Sequence, residues 1–184
     1  MGTLQNKPYP GESAEYRSAR DALVEAEIEL RRHVEAIAAQ RRALPLGGEL
    51  PEDYVFADAR VGGPGGPVKF SSLFEDGKNS LVIYSFMFGP NAEVPCPLCT
   101  SMLDSLNGSD PHIRQRVNLA VVAKAPPERI SAWAKGRGWT NLRLLSSAGN
   151  SYNTDYLAEM GDDLQLPMAN VSPNRATAST TCTA

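Results

Sequence analysis

The stretch Leu81-Val82-Ile83-Tyr84-Ser85-Phe86-Met87-Phe88 is the most apolar run of the chain, and Cys96-Pro97-Leu98-Cys99 follows it after a short loop. An apolar run of this length, ended by Gly89-Pro90, is typical of a buried strand. The mixture of apolar and polar residues after Cys99 predicts a helix, so the two cysteines fall at a helix N-terminus. Because a helix N-terminus stabilises anions, the pattern favours a thiolate at this position.

The spacing of the two cysteines predicts where each lies. Residues three apart in a regular helix hold their Cβ atoms about 5–6 Å apart, whereas a disulfide needs roughly 3.8 Å. The pair can close only if Cys96 is at the helix cap, and Pro97 suits the first helical position. We therefore expect Cys96 to face solvent and attack, with Cys99 one turn inside the helix as the resolving thiol. The carboxylate of Glu93, three residues earlier, opposes a thiolate.

Composition restricts the class of protein. A chain of 184 residues with 42% hydrophobic residues suits one domain with an appendage. The net charge of -3 argues against nucleic acid as a partner. No apolar run approaches the ~20 residues that span a bilayer, and residues 1–11 do not resemble a signal peptide, so we expect a cytoplasmic protein without a membrane partner. The chain has three cysteines, too few for a disulfide framework, which favours redox or metal chemistry.

The N-terminal part predicts a long helix, capped by Ser13 and ending near Leu44, before Pro45. It carries a narrow apolar stripe that recurs every seven residues. This helix either packs against its own domain or forms a dimerising arm, so a homodimer is a possible assembly. The stripe consists of Tyr16, Leu23, Leu30, Ile37 and Leu44.

The predicted organisation of the whole chain is a helical arm over 1–45, a domain over 46–171 and a disordered tail over 172–184.

The remaining elements alternate between strands and helices. This order predicts an α/β fold, with right-handed crossovers and a central, mainly parallel sheet flanked by helices. We expect the helix after the cysteines to be interrupted or to end near 107–111, where glycine and proline occur. Further elements are short strands at 54–56 and 68–70, a helical turn over 71–76, strands at 117–123 and 142–145, and a helix from Pro126 or Pro127 to about Arg137.

In this α/β order the Cys-x-x-Cys motif resembles that of thioredoxin-like domains. Over roughly residues 13 to 171 the chain is similar to a bacterial family described only as predicted dithiol–disulfide oxidoreductases. The resemblance implies a thioredoxin-like fold and a redox role for Cys96 and Cys99. The motifs that carry it are Arg41-Arg42-Ala43-Leu44-Pro45, Asp53-Tyr54-Val55-Phe56, Val68-Lys69-Phe70-Ser71-Ser72-Leu73-Phe74, Tyr84-Ser85-Phe86-Met87-Phe88-Gly89-Pro90, Cys96-Pro97-Leu98-Cys99 and Gly138-Trp139-Thr140.

The resemblance also implies a supporting proline. Thioredoxin-like domains place a cis-proline before a strand that faces the dithiol, and Pro167 is the position that looks like it; an ordinary trans turn is the alternative. Such a domain then needs another strand and a covering helix, yet only residues 168–184 follow. We therefore expect an apparently incomplete C-terminal end and an exposed sheet edge. A peroxiredoxin site would have Thr or Ser where Glu93 stands, which disfavours peroxide reduction.

Three functions compete at this stage. The favoured one is a thiol–disulfide oxidoreductase that needs no cofactor and acts on protein or small-molecule disulfides and thiols. The alternative is a degenerate or truncated thioredoxin-like interaction module without catalysis. A zinc site is the third, since Cys96, Cys99 and His112 match three ligands of a Cys2His2 finger, but the fourth is missing from 116–118.

Overall fold

The structure is a computed structural model that describes residues 9–45, 47–63, 65–75, 77–156 and 158. The expectations for Pro167 and for the tail at 172–184 lie outside the described residues. Contacts divide the chain into two compact units, with the boundary between Glu49 and Leu50.

The first unit contains helix α1 (Ala14–Arg42). Its start is fixed by Ser13, whose hydroxyl accepts a hydrogen bond from the Tyr16 backbone N–H at 3.1 Å. Arg41 and Arg42 lie in the last turn, where positive charge is favourable to the helix dipole. The predicted long N-terminal helix is therefore confirmed, while its two suggested uses stay predictions.

The second unit is built on a five-stranded sheet with the order β2-β1-β5-β4-β3. Strands β3, β4 and β5 are parallel neighbours, whereas β1 is antiparallel to both β2 and β5. The α/β class and the parallel strands around the dithiol are confirmed, and the first two strands add an antiparallel hairpin. The expectation of a buried strand over 81–88 is wrong, because β3 ends at Ser85, lies at the edge of the sheet and is fully buried only at Leu81. The strands are β1 (Val55–Asp58), β2 (Pro67–Lys69), β3 (Leu81–Ser85), β4 (Asn118–Ala123) and β5 (Leu144–Ser146).

Helices flank this sheet. Helix α2 (Pro97–Ile113) connects β3 to β4, and helix α3 (Pro127–Arg137) connects β4 to β5. A short 3-10 turn (Ser71–Leu73) precedes β3, and the one-turn helix α4 (Tyr152–Asp155), which the sequence did not predict, follows β5. Within the described part of the chain, no helix is both long enough and apolar enough to cross a bilayer.

The sheet separates two hydrophobic clusters, because successive strand residues point to opposite faces. On β4, Val121 belongs to one cluster and Val122 to the other. The cluster on the dithiol side of the sheet, called the near cluster, contains both cysteines together with Phe86, Phe88, Leu103, Ile130, Ala134 and Trp139. The cluster on the opposite side, called the far cluster, contains Tyr54, Phe56, Phe70, Leu73, Leu145 and Tyr152.

Helix α2 corrects one sequence-based expectation, since it continues without a break through Gly108 and Pro111. A proline inside a helix removes one N–H and leaves the carbonyl four residues earlier unpaired. Here that carbonyl belongs to Asn107, and it accepts a hydrogen bond from the Asn141 side-chain amide at 2.9 Å. The Asn141 backbone N–H in turn donates to the Asn107 side chain at 3.0 Å. The helix persists because a distant loop supplies the missing partner.

Candidate active site

The backbone of Cys96 is the N-cap of α2, with φ -55° and ψ 124°, and Pro97 is the first helical residue. The Cys96 carbonyl accepts hydrogen bonds from both the backbone N–H and the hydroxyl of Thr100, each at 3.0 Å. The predicted cap position of Cys96 is confirmed. Cys99 lies one turn inside the helix, and the two cysteines are free thiols.

The expectation that Cys96 faces solvent is wrong. Its exposed fraction is 8%, close to the 5% of Cys99, and both sulfurs belong to the near cluster. The physical reason is the loop between β3 and α2, which folds back over the helix start. Within it the Cys96 backbone N–H donates to the Met87 carbonyl at 3.0 Å, and Ala92 is 1% exposed.

Arg129 of α3 holds this loop in place. Its guanidinium donates to the carbonyls of Pro90 at 2.8 Å and Glu93 at 3.3 Å, and also to the carbonyl of Ala92. The same group lies over the ring of Phe88, 5.0 Å from its centroid. Sequence reasoning missed this residue, because a lone arginine on a helix carries no signal for three carbonyls more than 30 residues away.

Cys99 is surrounded by groups that act on its protonation in opposite directions. Burial is the largest influence and raises the pKa of the Cys99 thiol, and the neighbouring Cys96 raises it further. Hydrogen bonds from the Tyr84 hydroxyl and from the Met87 backbone lower that pKa. The net direction is upward, so Cys99 holds its proton at neutral pH.

Tyr84 is the second residue that sequence reasoning did not assign to the site. It lies on β3 with its ring packed against the near cluster, and burial together with Cys99 raises the pKa of its phenol far above the ordinary range. Tyr84 therefore stays protonated and can act only as a hydrogen-bond donor to a thiolate. The alternation of side chains along a strand could have identified it, since Tyr84 and Phe86 are two residues apart and share one face of the sheet.

Three apolar side chains are exposed around the dithiol. Val94, Leu98 and Met102 are each more than half exposed. Residues 93–106 include no lysine or arginine, and the exposed Glu93 adds a carboxylate beside Val94. This segment therefore presents apolar side chains and a carboxylate to a substrate.

The zinc interpretation fails on geometry. His112 lies at the C-terminal end of α2 and Cys96 at its N-terminal end. At about 1.5 Å per residue, the helix separates them by roughly 24 Å. A single ion cannot contact both, and the described residues contain no group of three or more potential metal-ligating side chains.

We predict that Arg129→Met loosens the loop over Cys96. The substitution keeps an apolar stem against Phe88 but removes the hydrogen bonds to three carbonyls, so the free energy of unfolding should fall by about 1–3 kcal/mol. Iodoacetamide should also label Cys96 faster, measured by mass in a chain that carries Cys99→Ser and Cys182→Ser. Arg116→Met, at an exposed position near the end of α2, is the matched control. Unchanged labelling of Cys96 would contradict the role assigned to Arg129.

Fold and site together define an α/β protein with a reduced Cys-x-x-Cys dithiol at the start of the helix that follows an edge strand of the sheet. The chain belongs to the family described as "Bacterial protein of unknown function (DUF899)", whose model matches residues 6–180. No curated protein matches the chain.

Two solved structures are similar to parts of this chain. The peroxidoxin BcpB from Mycobacterium tuberculosis is 22% identical, with a TM-score of 0.39, over 57% of this chain and 61% of its own. BsSco, a member of the Sco family of cytochrome c oxidase assembly proteins, is 17% identical, with a TM-score of 0.37, over 55% of this chain and 57% of its own. The match thus spans about three fifths of the length of each.

Proposed function

We propose that this chain is a thiol–disulfide oxidoreductase in which Cys96 is the nucleophile and Cys99 the resolving thiol. The observation that supports it best is the position of Cys96 at the N-cap of α2, with Cys99 one turn inside the same helix and both side chains in one buried cluster. Negative charge is generally favoured at a helix N-terminus, which suits the nucleophilic role proposed for the first cysteine of the motif.

The exchange proceeds in two steps. The Cys96 thiolate attacks one sulfur of a substrate disulfide, which forms a mixed disulfide and releases the first substrate thiolate. Cys99 then loses its proton to solvent, attacks the Cys96 sulfur and releases the second substrate thiolate. The protein dithiol is oxidised to a disulfide by two electrons, and the substrate disulfide is reduced to two thiols. The same steps run backwards when the protein disulfide oxidises a substrate dithiol.

The substrate class follows from the apolar surface of Val94, Leu98 and Met102. It favours disulfides or thiols flanked by apolar groups, as in protein segments, over strongly anionic small thiols. In the cytoplasm, the location that the sequence predicts, a pool of thiols is available to restore the dithiol. Homodimer formation through α1 remains a separate proposal.

Thiol counting by mass tests the proposal. A chain with Cys182→Ser is oxidised with 2-hydroxyethyl disulfide, an uncharged disulfide, then alkylated and weighed, and finally reduced and counted again. We expect a loss of two alkylatable thiols on oxidation, with a Cys96–Cys99 disulfide recovered by peptide mapping, and their full return on reduction. If the folded, oxidised chain keeps both thiols, the dithiol mechanism is wrong and the non-catalytic module gains support.

A further inference from the structure

Helix α2 and strand β3 place two sulfur atoms beside one phenol. The Tyr84 hydroxyl donates to the Met102 thioether sulfur at 3.6 Å, and the Tyr84 ring packs against the cluster that contains Cys99. The interaction of Tyr84 with Cys99 acts to raise the pKa of the phenol and to lower that of the thiol. Cys99 and Met102 are three residues apart on α2, so they lie on the same face of the helix. The single O–H of Tyr84 therefore has two sulfur acceptors within reach.

The two acceptors differ in strength, and the difference depends on the charge of Cys99. A thioether and a neutral thiol are both weak acceptors. A thiolate is an ionised acceptor, and hydrogen bonds to ionised groups are about twice as strong as neutral ones. The O–H will thus rest against Met102 while Cys99 is protonated and turn to Cys99 when negative charge develops there.

Building on the proposed oxidoreductase function, we propose that Tyr84 is a catalytic residue whose hydroxyl donates its hydrogen bond to the Cys99 sulfur as that sulfur attacks the mixed disulfide. The phenol keeps its proton throughout, and the proton of the Cys99 thiol leaves to solvent. Tyr84 thereby stabilises the thiolate that the second step requires, in a buried setting that otherwise disfavours it.

The two steps can be separated with 4,4′-dithiodipyridine, an uncharged aromatic disulfide, as the substrate. Attack by Cys96 releases the first absorbing 4-thiopyridone, and resolution by Cys99 releases the second. Stopped-flow absorbance of a chain carrying Cys182→Ser gives a rate for each release across a range of pH. The two rates report separately on Cys96 and on Cys99.

Tyr84→Phe should change only the second release. Loss of a hydrogen bond to a charged group should move the midpoint of its pH profile upward by about one pH unit. Fewer thiolates form at neutral pH, but each is more nucleophilic, with a Brønsted coefficient of about 0.4–0.5. The second release should therefore be about three-fold slower at neutral pH and about three-fold faster on the alkaline plateau. A purely structural defect would not produce such a crossing of the two profiles.

Two further variants isolate the hydroxyl. Met102→Leu removes the competing sulfur but keeps the phenol, so the midpoint of the pH profile for the second release should stay in place or fall. Tyr152→Phe removes a phenol hydroxyl in the far cluster and should leave both releases unchanged. A midpoint raised by Met102→Leu, or a Tyr84→Phe profile that matches the unmodified one, would overturn this role while the oxidoreductase function stands. Absence of any second release in the unmodified chain would overturn both.

Discussion

Cys96→Ser should reduce disulfide exchange to the uncatalysed rate, whereas Cys99→Ser should accumulate a stable mixed disulfide with its substrate. The two variants should behave differently because the two cysteines occupy different positions on α2. Cys96 is the helix cap, where an anion is favoured, while Cys99 is held one turn inside, and burial raises its pKa. A serine at 96 leaves no sulfur to attack, and a serine at 99 leaves none to release the bound substrate.

The two cysteine variants are compared in a chain with Cys182→Ser, which removes the third thiol. Each is incubated with a peptide disulfide that carries apolar side chains, quenched with acid and analysed by mass. The expected adduct is one substrate half per chain on the Cys99→Ser variant and none on Cys96→Ser. Equal trapping by both variants would refute the assignment of roles.

Trp139→Ala should give the largest loss of stability. The Trp139 side chain is 2% exposed, its ring centroid is 5.8 Å from that of Phe86, and its indole N–H donates to Asp104 of α2 at 2.8 Å. Removal of such a buried aromatic side chain typically costs about 3–5 kcal/mol of unfolding free energy. Part of the effect should reach the dithiol, because Asp104 and the cysteines lie on the same helix.

Urea denaturation followed by circular dichroism measures this loss. Trp139→Phe is the matched control, since it keeps an aromatic ring against Phe86 and removes the indole N–H. Asp104 retains its ion pair with Arg137 in both variants. The Phe variant should therefore lose clearly less stability than the Ala variant. Equal losses would show that the hydrogen bond to Asp104, and not the packing of the ring, stabilises this region.

The parts of the site that could be predicted depend on neighbours in sequence. The apolar run from Leu81 and the placement of Pro97 after Cys96 act within a few residues, so the strand, the helix start and the cap position followed from them. The burial of Cys96 could not be predicted, because it depends on Arg129 from another helix. The continuation of α2 through Pro111 likewise depends on Asn141.

The role of Tyr84 could be predicted only in part. Strand parity assigns its side chain to the face that carries Phe86, but parity does not reveal which helical residues stand opposite. That depends on how α2 is placed over the sheet, which is fixed by contacts such as Asp104 with Trp139. Helix α4 was missed because a four-residue helix has too few residues to produce a periodic signal.

The division of the core by the sheet has a consequence for how this protein can diverge. On the face opposite the dithiol, the ring centroid of Tyr152 lies 5.4 Å from that of Tyr54 and 5.2 Å from that of Phe56. Substitutions that do not share partners tend to have additive effects. We therefore expect that exchanging one aromatic residue for another on that face leaves the reduction potential of the Cys96–Cys99 pair nearly unchanged. The stability of the far cluster and the redox chemistry of the cysteines can then change almost independently during evolution.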